Sequence, residues 1–181
     1  MYSWALITGD APASVDARRL RQALGAFPTG VCLVATVTAE GKREGMTINS
    51  FASVSLDPPL ILWSVRNDAA SGDAFVGGRA FNLSVLAEDQ RELALHFARP
   101  ALDKFERFEH EFDVSGNRCP RLKRAAATFE CSVYSRHREG DHTILLGRVE
   151  QFHCNDKPPL LFHSGQMGSL GDLAHALARP A

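Results

Sequence analysis

Gly45-Met46-Thr47-Ile48-Asn49-Ser50-Phe51-Ala52-Ser53-Val54-Ser55-Leu56-Asp57-Pro58-Pro59 is the stretch on which the fold turns, because its polar side chains are neutral, closely spaced and set in a strand's rhythm. Read with a period of two, Met46, Ile48, Val54 and Leu56 share one face, and Thr47, Asn49, Ser53 and Ser55 share the other. The second face is a row of hydroxyls and an amide, groups that donate and accept hydrogen bonds with no charge to desolvate. Two uses suit it: the watered side of an antiparallel sheet, or a wall for a flat heteroaromatic ligand with alternating carbonyls and ring nitrogens. Asp57-Pro58-Pro59 ends the pairing, since proline lacks a ladder N–H and biases its predecessor toward extended or turn geometry.

Upstream, Val31 to Thr38 is rich in β-branched and apolar residues, and Glu40-Gly41-Lys42 supplies a turn, so this segment and the central run read as a hairpin. Before it, Asp16 caps a helix that gathers Leu20, Ala23, Leu24 and Phe27 on one side, turns Arg18, Arg19 and Arg21 largely away, and stops at Pro28 and Gly30. Residues 1–14 lack consistent periodicity and are expected to form a flexible arm, leaving 15–181 as one domain.

Downstream, Leu60 to Val65 reads as a third strand, apolar enough for burial on both sides or against a neighbouring subunit. Loop and short-helix signals follow from Asn67 to Gly78, then a fourth strand from Ala80 to Leu86. Leu93 and Phe97, four apart and followed by Pro100, predict a helix ending near Ala98. Leu102, Phe105 and Phe108 continue a helical spacing, with Lys104, Glu106 and Arg107 left in water. Asn117 to Pro120 reads as a loop. Thr128 to His137 and Thr143 to His153 form a hairpin about Glu139-Gly140-Asp141, and Leu160 to His163 is a last strand before a short terminal helix. Six or more strands in hairpins, with helices only beside them, define a mainly β protein: an antiparallel barrel with peripheral helices.

A chain of 181 residues with a net charge of -1 carries no nucleic-acid footprint, and Arg121 to Arg124 reads as a solvated turn. Cys32, Cys119, Cys131 and Cys154 form no C-x-x-C pair, which argues against a zinc site or a disulfide scaffold. Neither a signal peptide nor a membrane anchor is read at the N-terminus, so a cytoplasmic protein is expected. His137-Arg138-Glu139-Gly140-Asp141-His142 concentrates metal-ligand types, but a tight turn splays them and no metal is assigned. Arg99 suits the C-terminal end of a helix as a surface cation. No serine elbow, Walker loop or H-E-x-x-H helix is present.

Taken with Pro28-Thr29-Gly30-Val31, the central run resembles the signature of the short-chain flavin reductases, the reductase components of two-component flavin-dependent monooxygenases. The similarity extends from about Ala17 to Leu170. It implies the split barrel shared with FMN-binding proteins, a homodimer with flavin near the subunit interface, and transfer of reduced flavin to a separate oxygenase. The implied cofactors are FMN or FAD with NADH or NADPH, and the implied reaction is direct hydride transfer between them without a side-chain acid or base.

Carried over position by position, the resemblance brings the backbone of Thr29 and Gly30 to the flavin, and sets Thr47, Ile48, Asn49 and Ser50 along its ring and ribityl chain. Ser53, Val54 and Ser55 complete that wall. Ala98 and Arg99 fall beside the phosphate tail, and Gly140-Asp141-His142 puts His142 near the nicotinamide. Two positions depart from the pattern: Ala69-Ala70-Ser71, where relatives often show more hydroxyls near phosphate, and Gln166-Met167, where they often show Arg-Tyr. A flavoprotein that keeps its flavin and reduces another substrate, or a flavin carrier without turnover, are the alternative readings.

Overall fold

The computed structural model describes residues 15–100 and 103–172, so the expected N-terminal arm, Leu102 and most of the terminal helix lie outside it. Helix α1 (Ala17–Leu24) is capped as expected, the Asp16 carboxylate accepting from the N–H groups of Arg18 (2.8 Å) and Arg19 (3.3 Å). Its apolar side is not covered by the described residues: Leu20, Leu24 and Phe27 all stay exposed.

The sheet begins with β1 (Thr29–Gly30) and β2 (Cys32–Val37), the latter hairpinned to β3 (Arg43–Ile48) from Cys32↔Ile48 to Val37↔Arg43. Gly41 takes a φ of 84° in the connecting turn, and the Thr38 N–H closes it on the Lys42 carbonyl at 2.9 Å. An unbroken apolar run suits β2 because both its faces are buried. Leu33 and Ala35 face one core, with Phe97, Phe105 and Phe112, whereas Cys32 and Val34 face a second, with Trp63, Phe75, Phe81 and Leu145.

The central run is not one strand. It divides into β3 and β4 (Ala52–Leu56), which lie at opposite edges of a seven-stranded antiparallel sheet ordered β3-β2-β6-β9-β10-β5-β4. Here β5 is Pro59–Arg66, β6 is Ala80–Val85, and β9 (Ala127–Glu139) and β10 (His142–Cys154) form the long hairpin turning at Gly140. Only Asn49, Ser50 and Phe51 join the two edges, so the sheet curls until they adjoin. At the seam the Ser64 N–H donates to the Ser50 hydroxyl (3.0 Å), which donates to the Ser64 carbonyl (3.1 Å). This is the split barrel. Asp57-Pro58-Pro59, expected to end the pairing, instead makes the β4–β5 turn, with Pro59 opposite Leu56 at the head of β5.

Helix α2 (Gly72–Gly77) sends Phe75 against Trp63, and α3 (Arg91–Phe97) follows a short 3₁₀ turn and lies on β3. The helical spacing through Phe105 and Phe108 is not an α-helix: Glu106–Glu111 is a 3₁₀ segment broken at Phe108, and the spacing reflects aromatic packing on Phe97. Lys104, expected in water, is half-buried. Three-residue strands β7 (Phe112–Val114), β8 (Pro120–Leu122) and β12 (Gln166–Gly168) were not legible, β12 pairing with β11 (Leu161–His163). The basic turn is not free either, since Arg121 holds Asp113 and Glu130 while Arg124 holds Glu111.

The cysteines are free thiols, three of them buried, and burial pushes Cys32 and Cys131 up to about 12. No helix among the described residues is long and apolar enough to cross a membrane.

Candidate active site

Of the expected site residues, Thr29, Gly30, Asn49 and Ser50 fall at the end of the sheet where β2 and β3 part. Cys32↔Ile48 is the last pair of that hairpin, and beyond it Thr29-Gly30 goes to β11 while the Asn49-Ser50 crossing goes to β5. There β1 turns to pair with β11, Thr29 opposite Phe162. The Thr29 hydroxyl oxygen is buried with no hydrogen-bond partner. Leaving such a group unsatisfied costs about 1–3 kcal/mol, as it does for Trp63, Gln90 and Thr128 in the core, and a hydrogen-bonding ligand reaching Thr29 would offset that cost. A Cβ added at Gly30 would meet nothing within 4 Å, so the space beside it is open.

Not every polar group of the central run is free. Thr47 donates to the Ala94 carbonyl at 2.7 Å and so ties β3 to α3, while Ser50 is committed to the seam. Ile48 belongs to the core. Asn49, Ser53 and Ser55 remain: their side chains make no hydrogen bond among the described residues, and β4 is an edge strand paired on one side only. Val54 stands among them, exposed.

Helix α3 runs back along β3, its Ala94 at Thr47 and its last turn at Gly45, where Phe97 packs against the strand. Ala98 caps the helix by donating to the Ala94 carbonyl at 3.1 Å. Arg99 is exposed and its guanidinium has no partner among the described residues. Lys104 was missed from sequence, because nothing in its local pattern sets it apart from the charged residues around it. Its ammonium donates to the carbonyls of Gly45 (3.0 Å) and Phe97 (3.2 Å), clamping the last turn of α3 to β3, and burial pulls its pKa below the ordinary lysine value.

His142 opens β10 opposite Arg66, with Nδ1 2.7 Å from an Asp141 carboxylate oxygen. That contact holds the Asp141 carboxyl below its usual range. Ser53 pairs with Ile61, five residues along β5 from Arg66, a separation of about 17 Å. His142 thus stands well along β5 from Ser53 and nearer the Asn49-Ser50 crossing, where Ser50 bonds Ser64, two residues from Arg66. Of the two departures, Ser71 is buried and donates to Glu44 at 2.8 Å, so it offers nothing to a phosphate, and Gln166-Met167 lies in β12 with Met167 packed on the core.

Uncharged donors and acceptors beside open space, with an unpaired cation at a helix end, fit a flavin: the Thr29 hydroxyl and the β4 edge suit its ring, and Arg99 its phosphate. The curled antiparallel sheet is that of known flavin reductases. BorF, the flavin reductase component of a bacterial two-component tryptophan halogenase, superimposes with a TM-score of 0.80 at 36% identity, over 86% of this chain and 98% of that one. The Streptomyces globisporus C-1027 NADH:FAD oxidoreductase, solved with NAD and FAD fragments, gives 0.79 at 35% identity, over 84% and 92%.

Residues 24–171 match the flavin reductase like domain, and the chain belongs to that family. It is 41% identical to the FMN reductase (NADH) SmoA of Agrobacterium fabrum over 157 residues, 87% of this chain and 88% of that protein. Two further relatives are longer, and the chain spans 59% and 43% of their lengths.

Proposed function

We propose that this protein is an NAD(P)H:flavin oxidoreductase that reduces FMN or FAD and releases the reduced flavin to a separate monooxygenase. The observation that carries the reading is the orphaned Thr29 hydroxyl beside the open space at Gly30, in a chain of this family. When bound, the flavin supplies the centre that accepts a hydride from reduced nicotinamide.

The residues of the chain orient and stabilise. The Thr29 hydroxyl, the Asn49 amide and the Ser53 and Ser55 hydroxyls hold the ring edge and offer neutral donors where negative charge grows on reduction. Arg99 takes the phosphate by a charge-assisted contact, and Lys104 and Thr47 fix the helix end that carries it. The Asp141 carboxylate holds the His142 ring at Nδ1, leaving Nε2 free to meet the nicotinamide carboxamide. No proton transfer by a side chain is required.

One chain supplies one wall, and a second copy completes the site. The support is the distance between His142 and the β4 edge together with the uncovered apolar groups of α1 and β4. The need for reduced nicotinamide and the free thiols favour a cytoplasmic enzyme. Mixing purified protein with each nicotinamide and each flavin, and following nicotinamide absorbance, tests the reading. Flavin-dependent oxidation is the expected result, and its absence in all four pairings removes the reductase assignment.

A further inference from the structure

At the other end of β2, about 17 Å along the strand from the Cys32↔Ile48 pair, the molecule opens into a cleft of about 1330 Å³. Its walls are the β2–β3 turn, α2 with the Gly78-Arg79 step, and the β7–β8 hairpin. None of the residues assigned above to flavin or nicotinamide lines it.

One wall is held by a buried polar network. Asn82 donates to the Ser115 hydroxyl (2.7 Å) and to the Cys119 carbonyl (3.1 Å), and Asn117 donates to the Asn82 side-chain oxygen at 2.8 Å. Between the pinned Asn117 and Cys119, Arg118 adopts a φ of 69°, a region that residues with a side chain rarely enter. Arg118 is exposed, lines the cleft and has no partner among the described residues, and the same is true of Arg79. Asn117 also reaches the Phe81 carbonyl, two residues along β6 from Arg79. The two arginine backbones therefore stand on the order of 10 Å apart, a gap that two extended guanidinium arms close from either side.

The other charges are largely engaged. Lys42 pairs with Glu44 (2.5 Å), Arg43 with Glu109 (2.6 Å), and both Asp113 oxygens accept from Arg121 at 2.9 Å. Glu40 takes the Thr38 hydroxyl, and Asp73 stays in the first turn of α2. Carbon surface fills the rest, from Val37, Ala74, Phe112 and Val114, the last 75% exposed.

We propose that this cleft is a second binding site, separate from the flavin site, for an organic anion whose single carboxylate or phosphate is clamped by Arg79 and Arg118 and whose apolar body rests on Val37, Phe112 and Val114. Arginine forks match planar and tetrahedral oxyanions, and neither guanidinium is used by the fold. An acidic peptide is disfavoured, because its further carboxylates would meet Glu40 and Asp73.

Calorimetric titration of the whole chain with benzoate and with phenyl phosphate tests this, with benzamide as the uncharged control. Binding of one or both anions is expected, at one site per chain, with none of benzamide. Arg79→Gln combined with Arg118→Asn weakens binding at least about tenfold, and flavin reduction is unchanged; asparagine is chosen because it tolerates positive φ. Arg99→Gln leaves probe binding as it was. The proposal is overturned by no binding of either anion at millimolar concentration, by equal affinity for benzamide, by an unaffected double variant, or by loss of binding in Arg99→Gln, which would put the probe in the flavin site. Should the double variant not fold, Arg79→Gln alone decides, with a severalfold loss expected and an unchanged affinity against it.

Discussion

A buried hydroxyl with no partner is a liability for the empty protein and an asset for the occupied one, which makes Thr29 the sharpest single residue to test. Thr29→Val keeps the shape and removes the unsatisfied oxygen, so flavin-free protein is expected to be as stable or more stable, by up to about 1 kcal/mol. Flavin affinity is expected to fall roughly fivefold, an opposite movement that a merely structural threonine does not produce. Thermal denaturation without flavin and a flavin titration read the two halves. Asn49 makes the complementary case, because its exposed side chain bonds to nothing among the described residues. Asn49→Ala should leave the melting temperature in place and weaken flavin binding by about 1 kcal/mol; equal affinity in variant and parent would remove Asn49 from the wall.

Among the elements, the crossing from β3 to β4 is tied to β5 by one side chain. Ser50 replaces a backbone rung by both donating to and accepting from Ser64, and Ser50→Ala leaves two half-buried backbone groups without that partner. A loss of about 1–3 kcal/mol is expected in urea unfolding; an unchanged midpoint would show that the crossing is held without it. The same crossing explains what sequence could and could not reveal. Strands β2, β5, β6, β9 and β10 were legible because apolar and β-branched runs end at turn residues. The division of the central run was not, because its alternation of residue types stays in step across the crossing from Ile48 to Ala52 and through the register shift at Val54, and a period of two cannot register a chain that leaves one sheet edge for the other. Strands of three residues carry no period at all. The uncharged character of the site was readable, but the engagement of Thr47 by α3 and of Ser50 by β5 depends on elements far away in the chain. The β7–β8 hairpin adds a pH dependence. The Arg121 guanidinium, bonding both oxygens of Asp113, holds that carboxyl below its ordinary value of 3.8. A depressed carboxyl adds stability that is fully present above the unfolded value and is lost as pH falls through the folded one. Acid titration of Asp113→Asn should therefore show a shallower decline below pH 3.8 than the parent, by a small amount because the pair is partly exposed.

At the scale of the whole molecule, the arrangement that most needs explaining is apolar surface beside an incomplete site. Leu24 at the end of α1 and Phe27 just beyond it are 67% and 75% exposed, and Leu56 is 96% exposed at the tip of the β4 edge. Large apolar side chains left this exposed suit surfaces that another molecule covers. On the proposed reading that molecule is a second copy of the chain, which would bring a second surface to a ring lying on the β4 wall, along with its own α1. Sedimentation of the protein should then give twice the chain mass of 19.8 kDa. Phe27→Asp together with Leu56→Asp places two charges on that surface without touching either core, and is expected to yield folded monomers whose flavin affinity is at least about tenfold lower. Dilution of the parent should lower flavin affinity in step with dissociation, because the two events share one interface. A parent protein that sediments as a monomer at the concentration where it binds flavin fully would show that one chain builds the whole site.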